Sequence, residues 1–293
     1  MKRASTDGTM IGFDRRGNGP ALILIDGALC HRASGPNRRL AERLSREFSV
    51  ITYDRRGRGE SGDTAPYTVS REVDDLAALI DAAGGSAHLY GISSGGALAL
   101  EAAQRLPGKI DTVAAYEIPL VIDDSRPPVS ESFGDELYGL IDSGRRGAAV
   151  KLFMREAVRL PGPLVAAMPL FPGWAKNKRH APTLRYDFAI MGDTQRGKPL
   201  PAGRWQSVTA PTLVMSGGKS PAWVRTGAEQ LAQALPNAQH RTLDGQRHYV
   251  KANAIGPVLT EFFTAAATGR EANPGQAAGR AQSPDSVAST PAA

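Results

Sequence analysis

The chain has 293 residues, of which 41% are hydrophobic and 22% charged, and a formal net charge of +6. Such a composition suits a soluble globular protein with one large core, or a core carrying an insertion. The single cysteine, Cys30, excludes an intrachain disulfide and a multi-cysteine metal site, and a lone thiol suits a reducing, cytoplasmic setting. The first residues, Met1-Lys2-Arg3-Ala4-Ser5-Thr6-Asp7-Gly8, lack the apolar stretch of a signal peptide, and no run reaches the ~18 apolar residues of a membrane span. Basic residues are interspersed with acidic ones, so the positive balance reads as surface bias, and neither a nucleic-acid partner nor a membrane partner is expected.

Strand and helix patterns alternate along the chain, with no internal repeat. Asp7-Gly8 followed by residues 9–13 reads as an N-terminal hairpin. Ala21-Leu22-Ile23-Leu24-Ile25 is a continuous apolar run, as in a strand buried on both faces. Helical spacing through Leu40 and Leu44 marks residues 36–46, and residues 49–53 form the next strand. Residues 70–83 read as a helix, with Glu72, Asp74 and Asp75 near its N-terminus, where the dipole favours negative charge. Strands follow at 86–90, 111–116 and 211–215. A helix is expected at 222–235, a short strand at 239–243 and a closing helix at 254–266. This alternation predicts an α/β fold with a mostly parallel central sheet and helices on both faces.

One segment breaks the pattern. Residues 120–206 show helical spacing at 131–141 and 147–160 but no convincing strand, and they are rich in large apolar side chains such as Phe153, Trp174 and Phe188. They read as a helical cap inserted between two parts of a core, 1–119 and 207–266. Most of these apolar residues pack the cap itself, while a few make the pocket apolar. Residues 267–293, rich in Ala, Gly, Ser, Thr and Pro, read as a disordered tail.

The chemistry centres on Gly91-Ile92-Ser93-Ser94-Gly95, between the strand at 86–90 and the small-residue run Gly96-Ala97-Leu98-Ala99-Leu100. G-x-S-x-G between strand and helix is the pattern of a nucleophile elbow. Glycines two positions either side of the serine remove side chains that would clash in so sharp a turn. Ser93 is thereby raised at the carboxyl edge of the sheet, over the unpaired N–H groups of a helix N-terminus.

A serine there needs a base. Of His31, His88, His180, His240 and His248, only His248 follows the last strand on a polar loop at the same edge. The base needs an orienting carboxylate. The turn after residues 211–215, where an acid is usual, holds Ser220; Ser220-Pro221 reads instead as a helix N-cap followed by a proline at the first helical position. Glu117, at the end of the neighbouring strand, is therefore the expected acid, and Asp244, on the loop of His248, is the alternative. The expected oxyanion donors are the N–H of Ser94 and that of Ala28, in Asp26-Gly27-Ala28-Leu29-Cys30-His31 after the first buried strand. Gly27 lets that loop approach the site, and Cys30 and His31 are candidates to line the pocket. Nothing in the sequence marks Cys30 as an activated thiolate.

Taken together, Ile25-Asp26-Gly27-Ala28 (where His-Gly is more usual), Tyr53-Asp54-Arg55-Arg56-Gly57-Arg58-Gly59-Glu60-Ser61-Gly62, the elbow, and Gly245-Gln246-Arg247-His248 resemble the α/β-hydrolase superfamily, in its capped form, over residues 9–266. The D-x-R-G-x-G-x-S block implies tight turns, with Asp54 bonding local backbone. The order Ser93, Glu117, His248 fits the superfamily's nucleophile, acid and base. An acid after the strand that follows the elbow resembles certain members. The resemblance implies a serine hydrolase, the apolar residues of the cap suggest a small, largely apolar ester, thioester or lactone, and the triad needs no cofactor and no metal, for which no ligand spacing is present. Serine at the elbow argues against haloalkane dehalogenase or epoxide hydrolase chemistry, which use aspartate there. Carbon–carbon bond hydrolysis and cofactor-free perhydrolysis use the same triad. A non-catalytic ligand-binding module on the same scaffold is the reading from another class.

Overall fold

The computed structural model describes residues 1–271. Eight strands form one sheet: β1 (Lys2–Ala4), β2 (Met10–Arg16), β3 (Ala21–Ile25), β4 (Ser49–Tyr53), β5 (Ala87–Ile92), β6 (Ile110–Tyr116), β7 (Thr212–Gly217) and β8 (Ala238–Leu243). Their order is β1-β2-β4-β3-β5-β6-β7-β8. The hairpin β1–β2 is antiparallel, β2 meets β4 antiparallel, and every later pair is parallel.

The side-chain alternation of β3 shows why its apolar run is unbroken. Ile23 and Ile25 enter the core on one face, with α2 (Val69–Ala83), α3 (Ser94–Arg105) and α9 (Ala222–Ala234); Leu22 and Leu24 enter the core on the other, with α1 (Asn37–Leu44) and α10 (Ala252–Glu271). A strand clad on both faces has no solvent side to leave polar. Truncating Leu22, fully buried, to alanine would cost ~2–5 kcal/mol. Thr68 caps α2 by accepting from the Arg71 N–H at 3.2 Å.

Between β6 and β7 the described chain contains helices and no strand: α4 (Phe133–Asp142), α5 (Arg146–Glu156), α6 (Gly162–Ala167), α7 (Trp174–His180) and α8 (Leu184–Met191), joined by three short 3₁₀ turns. Helix α5 stops at Glu156, short of the expected residue 160, and the left-handed Arg159 (φ 63°) redirects the chain toward Pro161. The insertion has its own apolar cluster, built from Phe133, Leu137, Val150, Leu152 and Leu184 around Leu29 of the core. Met191 and Trp205, both within residues 120–206, join the main core rather than the insertion's cluster. Trp205 is held there by its indole N–H donating to Glu101 Oε1 at 2.9 Å. Helix α10 runs five residues past its expected end; the remainder of the expected tail, 272–293, lies outside the described residues. Among the described residues no helix is long and apolar enough to cross a membrane.

Candidate active site

β5, β6 and β7 are adjacent and parallel, so their carboxyl ends share one edge. β5 ends in the elbow. Ser93 has φ 57° and ψ −131°, a strained conformation for a residue with a side chain. A Cβ on Gly91 would sit 2.2 Å from the Gly95 carbonyl oxygen, and one on Gly95 would sit 2.4 Å from that of Ile25. No side chain fits either position, and this is the reason for glycine at both. The Ser93 N–H is anchored by the Tyr116 carbonyl of β6 at 2.9 Å.

Glu117 follows β6 with a second strained backbone, φ 49°. Its N–H donates to Met215 O of β7 at 2.9 Å, which fixes the residue across the strand junction. Its carboxylate is buried. Oε1 accepts from the Gly217 N–H at 2.8 Å and the Ser220 hydroxyl at 2.5 Å, and Oε2 lies 2.9 Å from His248 Nδ1. Burial pushes this carboxyl's pKa up, but the bonds from His248, Ser220 and Gly217 outweigh it and hold the pKa below the ordinary glutamate range. Ser220 therefore does not cap α9. Pro221 occupies the N-cap position, and the Ser220 hydroxyl turns back to the displaced acid.

His248 stands on the loop after β8 with about half of its side chain exposed. The Tyr116 hydroxyl donates to the Arg247 carbonyl at 2.8 Å and so pins this loop to the end of β6. Asp244 is exposed, and its carboxylate makes no bond to His248. The other histidines are engaged elsewhere. His88 Nδ1 pairs with Thr112 and its ring stacks on Phe263, His240 meets Ser216, and His31 packs edge-on against His180 at 5.1 Å.

Gly27 brings the loop after β3 against the nucleophile: a Cβ there would lie 3.0 Å from Ser93 Cβ and 3.5 Å from its Oγ. Ala28 follows Gly27 on this loop, and Ser94 follows Ser93 at the start of α3. Among the described residues no hydrogen bond engages either N–H, and none joins the Ser93 hydroxyl to His248. Ala28 packs against the insertion's apolar cluster, giving this side an apolar wall. Burial, reinforced by Asp26, pushes the Cys30 thiol up to about 12, which disfavours a thiolate there.

The sequence reading missed a buried ionic network beneath the loop. Arg55 pairs with Glu72 at 2.6 Å and with Asp187 of α8 at 2.7 Å, and Arg58 pairs with Asp187 at 2.7 Å. The D-x-R-G-x-G-x-S block was legible only in its turns and in Asp54, which accepts from the Arg32 and Glu60 N–H groups at 2.9 Å each. The arginines within it carried no pattern that named their partners.

Residues 26–250 match the family described as the alpha/beta hydrolase family. The chain belongs to that family. It is similar to an alpha/beta hydrolase from Sphaerobacter thermophilus of known crystal structure, at 50% identity over 90% of this chain and 100% of that one, with a TM-score of 0.82. The enol-lactonase from Burkholderia xenovorans shares the fold at 23% identity and a TM-score of 0.61, over 89% of this chain and 99% of that one. Polyketide synthase ThaQ of Burkholderia thailandensis is 29% identical over 85% of this chain, which spans only 12% of that much longer protein.

Proposed function

We propose that this hydrolase is a serine hydrolase of small, largely apolar esters, thioesters or lactones, working through Ser93, His248 and Glu117. The observation that carries the reading is the buried Glu117 carboxylate 2.9 Å from His248 Nδ1, on the strand edge that also bears the Ser93 elbow. Glu117 holds the proton on Nδ1 and leaves Nε2 free as a base. Ser93 Oγ attacks the acyl carbonyl as its proton passes to Nε2. The oxygen of the tetrahedral intermediate is held by the N–H groups of Ala28 and Ser94. His248 then protonates the leaving group, and an acyl-Ser93 enzyme results. Water, deprotonated by the same nitrogen, releases the acid and restores the serine. Contacts of this kind tighten when substrate binds, which accommodates the unbonded Ser93 hydroxyl.

The preference for an apolar acyl group rests on Ala28, whose outer side is the insertion's apolar cluster. In this reading residues 120–206 act as the cap, no cofactor or metal takes part, and the protein acts in a reducing compartment. The test is fluorophosphonate labelling with parallel hydrolysis of p-nitrophenyl esters of increasing chain length. Wild type should label and turn over short chains, and Ser93→Ala should do neither. A folded wild type that does neither would leave the ligand-binding module as the better account.

A further inference from the structure

Asp187 lies on α8, in the inserted segment, far in sequence from every residue of the proposed triad. Its carboxylate is 2% exposed and fully bonded. Oδ1 accepts from the Ser94 hydroxyl at 2.7 Å and from Arg55 Nη1 at 2.7 Å; Oδ2 accepts from Arg58 Nη2 at 2.7 Å. Both arginines pass the contact on. Arg58 Nη1 donates to the Gly27 carbonyl at 2.6 Å and to the Cys30 carbonyl at 3.4 Å, on either side of Ala28, while Arg55 Nη1 reaches the Asp26 carbonyl at 3.4 Å. One carboxylate of the insertion is thus tied directly to Ser94 and, through two arginines, to the loop of Ala28. These are the two residues whose N–H groups the proposed mechanism assigns to the oxyanion. Arg58 is further fixed by Thr183, just before α8, at 3.0 Å.

We infer that Asp187 is a positioning residue, which sets the spacing of the two oxyanion donors and makes their alignment depend on α8 being docked. The inference rests on the serine-hydrolase reading for its catalytic consequence, but not for its structural one. An oxyanion hole works because its donors are fixed before charge develops. Neither donor here is fixed by its own N–H; beyond the backbone bonds of the elbow, their alignment draws on the side chain of Ser94 and on the carbonyls around Ala28. Both lead to Asp187. A purely electrostatic role would act in the opposite direction. Neutralising Asp187 takes from Arg58 its ion-pair partner and from Arg55 one of its two, and a surplus positive charge would favour an oxyanion.

The test compares Asp187→Asn, Asp187→Glu and Ser94→Ala with Tyr186→Phe. The last removes a different tie from the same helix to the core, the 2.7 Å bond to Asp63, and touches neither donor. Hydrogen exchange of residues 26–31 and 93–97 is read on every folded variant, whatever its activity. Faster exchange in both segments is expected for Asp187→Asn and in the second for Ser94→Ala, with neither changed in Tyr186→Phe. On a p-nitrophenyl ester, kcat should fall on the order of tenfold to a hundredfold for Asp187→Asn, and less for Ser94→Ala, at nearly constant KM, with partial recovery in Asp187→Glu. Unchanged exchange in both segments of Asp187→Asn would overturn the inference even if the protein were inert toward esters. So would wild-type or raised kcat in Asp187→Asn when wild type is active. A wild type without esterase activity, but with coupled exchange, would instead count against the serine-hydrolase reading alone.

Discussion

Replacing Glu117 with glutamine isolates what the displaced acid does, because the surrounding bonds dictate how the amide must sit. Oε1 receives two donors, the Gly217 N–H at 2.8 Å and the Ser220 hydroxyl at 2.5 Å. Only the amide oxygen can take that place, so the NH₂ group must face His248 Nδ1, 2.9 Å away. Nδ1 then has to accept, which moves the imidazole proton to Nε2. A base protonated on the nitrogen that faces the serine cannot take the serine's proton. The imidazolium formed during attack also loses its counter-charge. Wrong tautomer and lost charge together cost a comparable triad about 10⁴ in kcat. On that scale, with some tolerance for the half-exposed imidazole, a loss of about 10³–10⁴ is expected, or roughly 4–5.5 kcal/mol of transition-state stabilisation. KM should hardly move. The assay is steady-state hydrolysis of a short p-nitrophenyl ester at neutral pH, with near-UV circular dichroism confirming the fold and Asp244→Asn as the control expected to behave as wild type. A folded Glu117→Gln enzyme with kcat close to that of wild type would refute the assignment.

Three further outcomes follow from the same geometry. The Glu117 pKa is depressed in the folded state, so its bonds stabilise the protein above the ordinary glutamate value of 4.5, and that stabilisation is lost as pH falls through the folded value. Ser220→Ala weakens it, so the melting temperature deficit of this variant should be largest at neutral pH and narrow on acidification. Asp26 behaves in the opposite sense. Burial raises its pKa from 3.8 to about 7, against the pull of the Asn37 N–H, Arg58 and Arg55, and its Oδ1 has no hydrogen-bond partner. The folded state then holds a proton that the unfolded state releases, so this group makes stability decline as pH rises from 3.8 toward 7. Asp26→Asn should flatten that decline in thermal melts across the range. Gly27→Ala would place a Cβ 3.0 Å from Ser93 Cβ and 3.1 Å from the Ile92 carbonyl. Such overpacking costs about 1–3 kcal/mol of stability and displaces the serine, so kcat should fall more than the folded fraction does, as active-site titration would show.

How much of this could be read beforehand differs from element to element, for physical reasons. β3, β5 and the elbow were plain, since an unbroken apolar run and paired glycines record constraints within a few residues of themselves. Glu117 and His248 were reachable because parallel strands bring their carboxyl ends to one edge, a rule of topology. Ser220 was misread: its local signal, a hydroxyl before a proline, is that of a helix cap, and only the neighbouring strand reveals that the hydroxyl serves Glu117. Helices α6 to α8 were not resolved individually, as six to eight residues are too few for an amphipathic period to show. Asp187 carried no signal, because its partners Arg55 and Arg58 lie about 130 positions away. Met191 and Trp205 mark the same limit, as an apolar side chain does not declare which of two cores it joins.

The central claim, a covalent acyl-enzyme on Ser93, is tested most directly by acid-quenching the protein within the first turnovers of a p-nitrophenyl ester and mapping the adduct by peptide mass spectrometry. The account expects an acyl group on the peptide containing Ser93, strongly diminished when His248 is replaced by alanine, because the same base serves acylation, and absent in Ser93→Ala. Steady turnover with no adduct at Ser93, or an adduct carried on Cys30 instead, would contradict it.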